Sequence, residues 1–281
     1  MNLFNIVEEL EKVDPELNDR LNPRRAAIKN ITSFGSKVAM AAVPFALGTM
    51  LKRAYGATAT TSVVDVLNYA LTLEYLESSF YNQGAASAGL IPASGTAYIN
   101  TVKDDENQHV AFLKTAITQS GGTPVTSPKF DFTAGGGTGN GPFKGVFSDY
   151  GLFLKVALAF EDTGVRAYKG QAPNLLGNKD ILTAALSIHA VEARHASAIR
   201  QLLGVSPWIT STATLGNDTG ISLVNGNYAG EETIKQGGVD LTTLPGVTAS
   251  TTSVAVATAA FDEPLSKDQV LELLVGTFIY S

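Results

Sequence analysis

The sequence predicts an all-α protein: a four-helix bundle with a long crossover between helices 2 and 3, and an irregular C-terminal extension that ends in a short helix. Three observations predict it. Four segments repeat apolar residues every three or four positions, as the core face of a packed helix does. One long Gly-, Thr- and Pro-rich stretch separates the second segment from the third. Glutamates and histidines interrupt the apolar stripes at spacings that repeat between the two halves.

The first helix carries Val63, Leu67, Ala70, Glu74, Glu77 and Tyr81 on one stripe, and the second carries Ile99, Val102, Glu106, His109, Leu113 and Ala116. The third carries Leu154, Ala157, Glu161, Gly164 and Tyr168. The fourth carries Ile181, Ala185, Ile188, Glu192, His195, Ile199 and Leu202. Gly89 with Pro92, Gly121 with Gly122, Gly170 with Pro173, and Gly204 with Pro207 punctuate the segments. The stretch from Ser120 to Ser148 is too long for an ordinary connection, and a bundle with one crossover needs such a segment at this point. From residue 206 to 260 the helical period is lost in a Thr-, Ser-, Gly- and Val-rich run, read as an extended arm or a small β-structured extension. Ser266 and Gln269 then form a capping-box pattern that opens a short helix through Leu274. Val270, Leu271, Leu274 and Phe278 equip that helix to dock on the bundle or on a neighbouring subunit.

Charged groups on a core face need an explanation, because a buried carboxylate without a partner is very costly. Glu74, Glu106, His109, Glu161, Glu192 and His195 all sit within apolar stripes. Two divalent cations resolve the conflict: four carboxylates and two neutral imidazoles balance their charge. In each of the pairs Glu106–His109 and Glu192–His195 the two positions are three apart in the chain. That is about 4.5 Å along a helix and about 60° around it, so both reach one point. Glu74 precedes Glu106 by 32 residues and Glu161 precedes Glu192 by 31; Tyr81 follows Glu74 by seven, as Tyr168 follows Glu161. A single Glu-x-x-His is a weak signal, whereas two of them, each preceded at matching distance by a lone Glu, are a strong one. Glu77 competes with Glu74 for the first position, and the duplicated spacing favours Glu74 and makes Glu77 peripheral. With only 3 histidines and no cysteine in the chain, the donor set suits iron or manganese better than zinc or copper.

The order Glu, Glu-x-x-His, Glu, Glu-x-x-His resembles the ferritin-like superfamily of di-iron and di-manganese proteins. The segments LNYALTLEYLESSFY, LAFEDTGVRAYKG and AFDEPLSKDQVLELL are similar to the branch that includes desiccation-related proteins. The resemblance covers roughly residues 62 to 205 and the C-terminal piece, and all six ligand positions are present. It implies a candidate di-metal oxidoreductase (oxidase, peroxidase or catalase-like) acting on dioxygen or peroxide. Glu106 and Glu192 would then bridge or flank two ions, Glu74 and Glu161 bind terminally, and His109 and His195 each cap one ion. The alternative it implies is a non-catalytic, stress- or desiccation-related protein whose metals brace the fold. Closed-shell iron storage sits badly with the long extension, while a homo-oligomer is compatible with the pattern. Around the ligands, Tyr81 and Tyr168 read as core aromatics with hydroxyls near the site, and Asp105 as a carboxylate able to orient a histidine. His189 reads as a structural histidine, and Arg166 and Arg194 as helix-surface or subunit contacts.

Composition narrows the other options. The chain has 281 residues, 44% of them hydrophobic and 16% charged, with a formal charge of -6. Beyond a few residues near the N-terminus nothing resembles a clustered basic face, so nucleic acid is not an expected partner. The absence of cysteine excludes disulfides, zinc–thiolate sites, iron–sulfur clusters and thiol catalysis. Residues 1–56 read as an export signal: Arg24 and Arg25 precede Ile28 and Lys29, and an uncharged, mostly apolar run of about 14 residues follows from Val38 to Leu51. Lys52 and Arg53 come next, then the small-residue stretch Ala54 to Ala57. This resembles a bacterial twin-arginine signal, which implies a periplasmic product, with membrane contact only through an uncleaved N-terminus. A membrane-anchored or cytoplasmic chain is the alternative, since Ile6, Val7, Leu10 and Val13 give the long leading region an amphipathic pattern. The expected organisation is thus signal 1–56, bundle 57–205 and extension 206–281.

Overall fold

The computed structural model describes residues 61–210, 217–244 and 254–280. The expected export signal lies outside the described residues. Among the described residues no helix is long and apolar enough to cross a membrane.

Four long helices form the bundle: α1 (Val63–Ala86), α2 (Ala93–Gln119), α3 (Tyr150–Gln171) and α4 (Lys179–Leu203). Their starts are chemically marked. Ser62 accepts from the Asp65 amide at the head of α1 while Asp65 reaches back to the Ser62 backbone. Asp149 and Asn178 cap α3 and α4 in the same sense, each side chain accepting a backbone N–H in the first turn. α1 packs mainly on α2 and α3 on α4, so the bundle is two helical hairpins joined by the crossover over residues 120–149.

Along each helix the buried residues divide into three layers. Leu67, Leu71, Leu113, Ile117 and Ile188 fill one end. At the other end Phe80, Phe132, Phe147, Phe153 and Phe160 pack as a cluster of rings, with Phe80 stacked on Phe153 at 4.8 Å between centroids. The charged residues of the stripes lie between these two apolar layers.

The crossover and the extension close over the aromatic end. Strand β1 (Lys129–Phe130) pairs antiparallel with β4 (Ile279–Tyr280), Lys129 opposite Tyr280. The Asp131 carboxylate accepts from the Gly137 and Gly139 amides, both at 2.9 Å, and so holds the Gly-rich turn that follows. β2 (Lys235–Gln236) and β3 (Val239–Asp240) form a second small ribbon. The extension also contains a 3-10 helix, Ser222–Tyr228, and a short helix α5 (Val254–Ala259), where loss of the period had indicated only extended or β structure. Helix α6 (Lys267–Leu274) starts on the expected Ser266–Gln269 capping box. It docks on the bundle through Val270, Leu274 and Phe278, with Phe278 edge-on to Phe160 at 5.0 Å.

Gly170 does not end α3, which runs on to Gln171 and then into a 3-10 turn, Ala172–Leu175. Its role is a close approach: a Cβ there would stand 1.9 Å from the Leu265 carbonyl oxygen, so only glycine admits the extension's backbone. Arg166 also departs from its expected surface role. It is fully buried, pairs with Glu231 at 2.8 Å, and donates to the carbonyls of Glu263, Asn227 and Ala229. A second buried anchor is Arg200, bidentate on Asp162 with both contacts at 2.7 Å. Tyr228 of the extension donates to the same carboxylate at 2.7 Å.

Candidate metal centre

Each helix delivers its share to the middle layer: Glu74 from α1, Glu106 and His109 from α2, Glu161 from α3, Glu192 and His195 from α4. Helical periodicity alone places each Glu-x-x-His pair on one inward face. All four carboxylates are fully buried, His195 is buried, and His109 is 9% exposed. The structure therefore brings together all six residues singled out in the sequence.

Their donor atoms form two overlapping groups. One ligand atom from each of Glu74, Glu106, His109 and Glu192 lies within 4.8 Å of the others; the same holds for Glu106, Glu161, Glu192 and His195. Glu106 and Glu192 belong to both. His109 turns Nδ1 inward, 3.2 Å from Glu74 and 3.3 Å from both Glu106 and Glu192. His195 does likewise, its Nδ1 2.8 Å from Glu106 and 3.3 Å from Glu161. These last contacts lack the alignment of hydrogen bonds. Glu106 Oε1, Glu161 Oε2, both Glu192 oxygens and His195 Nδ1 have no hydrogen-bond partner. Orphaned, buried and convergent lone pairs of this kind cost several kcal/mol unless a cation meets them. The set, oxygen-rich with two imidazole nitrogens, fits metal ions.

The electrostatics carry the same message. Burial, then the charge of Glu106, pushes Glu74 up to about 8. Burial and the neighbouring carboxylates Glu106 and Glu74 drive Glu192 well above the ordinary range. Burial opposes charge on Glu106 as well, yet the imidazoles of His109 and His195 hold it down at about 2. Burial disfavours the imidazolium of His195, but the charge of Glu161 and contact with Glu106 outweigh it and push the ring up to about 12. Without metal, protons must supply the positive charge that this cluster demands.

A second ring of residues fixes the first. Tyr168 of α3 donates to Glu74 of α1, and Tyr81 of α1 donates to Glu161 of α3, a reciprocal exchange across the bundle. Asp105 lies 3.1 Å from His195 Nε2 and so keeps the Nδ1 edge facing inward. His189 faces the Val165 carbonyl at 2.9 Å and stands outside the cluster. Glu77, expected to be peripheral, is instead buried at 3% exposure, raised by burial and by the charges of the four clustered carboxylates. The signal that could have found it is the duplication itself: Glu77 follows Glu74 by three residues, as Gly164 follows Glu161, and a glycine on a core stripe leaves room for a partner.

A search of curated proteins finds no match to the chain. The family model described as a ferritin-like domain matches residues 62–205, from the N-cap of α1 to just past α4. That match spans just over half of the chain and contains all six clustered residues, and the protein belongs to the ferritin-like domain family.

Proposed function

We propose that the bundle holds a pair of iron or manganese ions and uses them for redox chemistry on dioxygen or peroxide. The observation that carries this reading is the overlap of the two donor groups at Glu106 and Glu192. Glu74 and His109 would complete one position, Glu161 and His195 the other. Two close ions, when bound, supply electrons and charge stabilisation for the reduction of an O–O bond.

The chain's own residues do the rest. Four buried carboxylates neutralise two divalent ions, which the apolar layers above and below could not tolerate uncompensated. Tyr168 and Tyr81 hold one oxygen each of Glu74 and Glu161, leaving the other oxygen free to turn inward. Asp105 sets the tautomer and plane of His195. An open groove of about 380 Å³ between α2 and α4, bordered by Tyr98, Thr101, Asp105, Arg194 and His195, supports approach of a small substrate from that side. Export by the twin-arginine route belongs to the same reading, because that route carries folded chains with their cofactors in place. Arg24→Lys/Arg25→Lys should then retain the protein in the cytoplasm on cell fractionation.

The deciding experiment is elemental analysis of protein purified from its native host without added metal, beside Glu106→Ala/Glu192→Ala. Two iron or manganese ions per chain, lost in the variant, together with turnover of peroxide or dioxygen, are expected. A metal pair inert to both substrates would favour the alternative of a fold-bracing, stress-related role. A zinc-filled or empty protein of unchanged stability would overturn the redox reading.

A further inference from the structure

Glu77 is one turn beyond Glu74 on α1 and shares the buried layer of the metal centre. It belongs to neither four-residue donor group. The charges that act on it are those of Glu192 first, then Glu106, Glu161 and Glu74, all negative. None of the ion pairs among the described residues includes it.

Its place is created by Gly164. A Cβ added at Gly164 would stand 3.0 Å from Glu192 Oε2 and 3.2 Å from Glu77 Oε1, so both oxygens lie against the bare backbone of α3. The duplicated halves are therefore unequal at this one level, with a carboxylate on α1 and no side chain on α3. If packing were the only demand, an apolar side chain would fill the gap at lower cost than a carboxylate facing four others. A carboxylate in that position makes physical sense when a cation is its neighbour.

We propose that Glu77 is a fifth carboxylate of the metal centre, drawn to the ions beside Glu192, and that it biases the site toward ions able to reach the trivalent state. This rests on the metal-pair reading. Five carboxylates carry one negative charge more than two divalent ions neutralise. Oxidation of one ion from the divalent to the trivalent state releases one electron and supplies the missing positive charge. A fixed divalent ion such as zinc gains no such compensation.

The test uses the full chain, wild type beside Glu77→Gln, stripped of metal and titrated anaerobically with ferrous iron, manganese(II) and zinc(II). Binding is read by calorimetry, and the reduction potential of the iron-loaded pair by mediated electrochemistry, the electrode taking the electron. Glu77→Gln should still bind two ions, one of them at least tenfold more weakly whichever divalent metal is used, and the iron-loaded pair should have a higher reduction potential. Metal-free Glu77→Gln should melt no lower than wild type, which separates lost ligation from lost folding. Gly164→Ala, which crowds the same two oxygens, should weaken the same ion. Unchanged affinities and potential in a well-folded Glu77→Gln overturn the proposal while leaving the metal pair intact. Failure of the wild type to bind two ions would instead overturn the metal-pair reading beneath it.

Discussion

Tyr168 and Tyr81 each donate a buried hydroxyl to one oxygen of a clustered carboxylate, Glu74 and Glu161, and that single bond orients the carboxylate's other oxygen. Hydrogen bonds to charged groups are worth about 1.5–3 kcal/mol. Tyr168→Phe or Tyr81→Phe should therefore weaken metal binding by roughly tenfold or more, by the same scale, with the loss read by calorimetry. The titration of the cluster predicts a pH dependence of defined sign. Glu74 is raised to about 8 and His195 to about 12 in the folded chain. Groups raised on folding contribute stability that is present at low pH and lost as pH rises through the folded value. Glu106, lowered to about 2, contributes in the opposite sense but only at more acid pH. The metal-free protein should thus lose melting temperature from about pH 5 to beyond pH 8, whereas metal affinity should rise over the same span as protons leave the ligands. A flat metal-free profile would contradict it. At this scale the sequence was informative where burial is expensive: the six charged residues on apolar stripes come together in one buried layer. Glu77 did not stand out, because the duplicated spacing was read for the lone Glu of each half and not for Gly164, the small residue that faces Glu77. Arg166 did not, because its partners are carbonyls and a carboxylate brought near only by tertiary structure.

At the scale of elements, the four helices were legible because each has its own period, and three of them a side-chain cap. The extension was less so, since its shape is set by anchors from the bundle. Arg200 illustrates this: it ties α4 to α3 through Asp162, whose other oxygen contact comes from Tyr228. Removing one partner of a buried pair leaves the other charge stranded, so Arg200→Ala should lower stability by about 3–5 kcal/mol, measured by chemical denaturation. Asp162 adjoins Glu161 in sequence, so the same variant should also weaken metal binding. Gly170 was read as a helix stop because that is the common meaning of glycine. Here it is an opening for the Leu265 backbone. Gly170→Ala should displace the segment leading into α6, and limited proteolysis should then cut the extension faster while the four helices keep their helical circular dichroism.

For the molecule as a whole, the sequence conveyed an architecture of two helical hairpins and the layer in which their charges meet. It could not convey how the crossover pairs with β4, because two-residue strands carry no periodic signal. The division into hairpins has a kinetic side. Each hairpin packs through contacts between neighbouring helices and carries two carboxylates of the two donor groups with one histidine. Docking the two halves brings those carboxylates into one buried layer, so in the metal-free chain docking should require them to take up protons, a cost that bound cations should relieve. Refolding should accordingly slow when chelator is present, with helix content recovering before the aromatic layer of Phe80 and Phe153 closes. The plane between the hairpins is thus where their charges are brought together, and if metal binds there, its supply should affect how fast the chain folds as well as what the folded chain does.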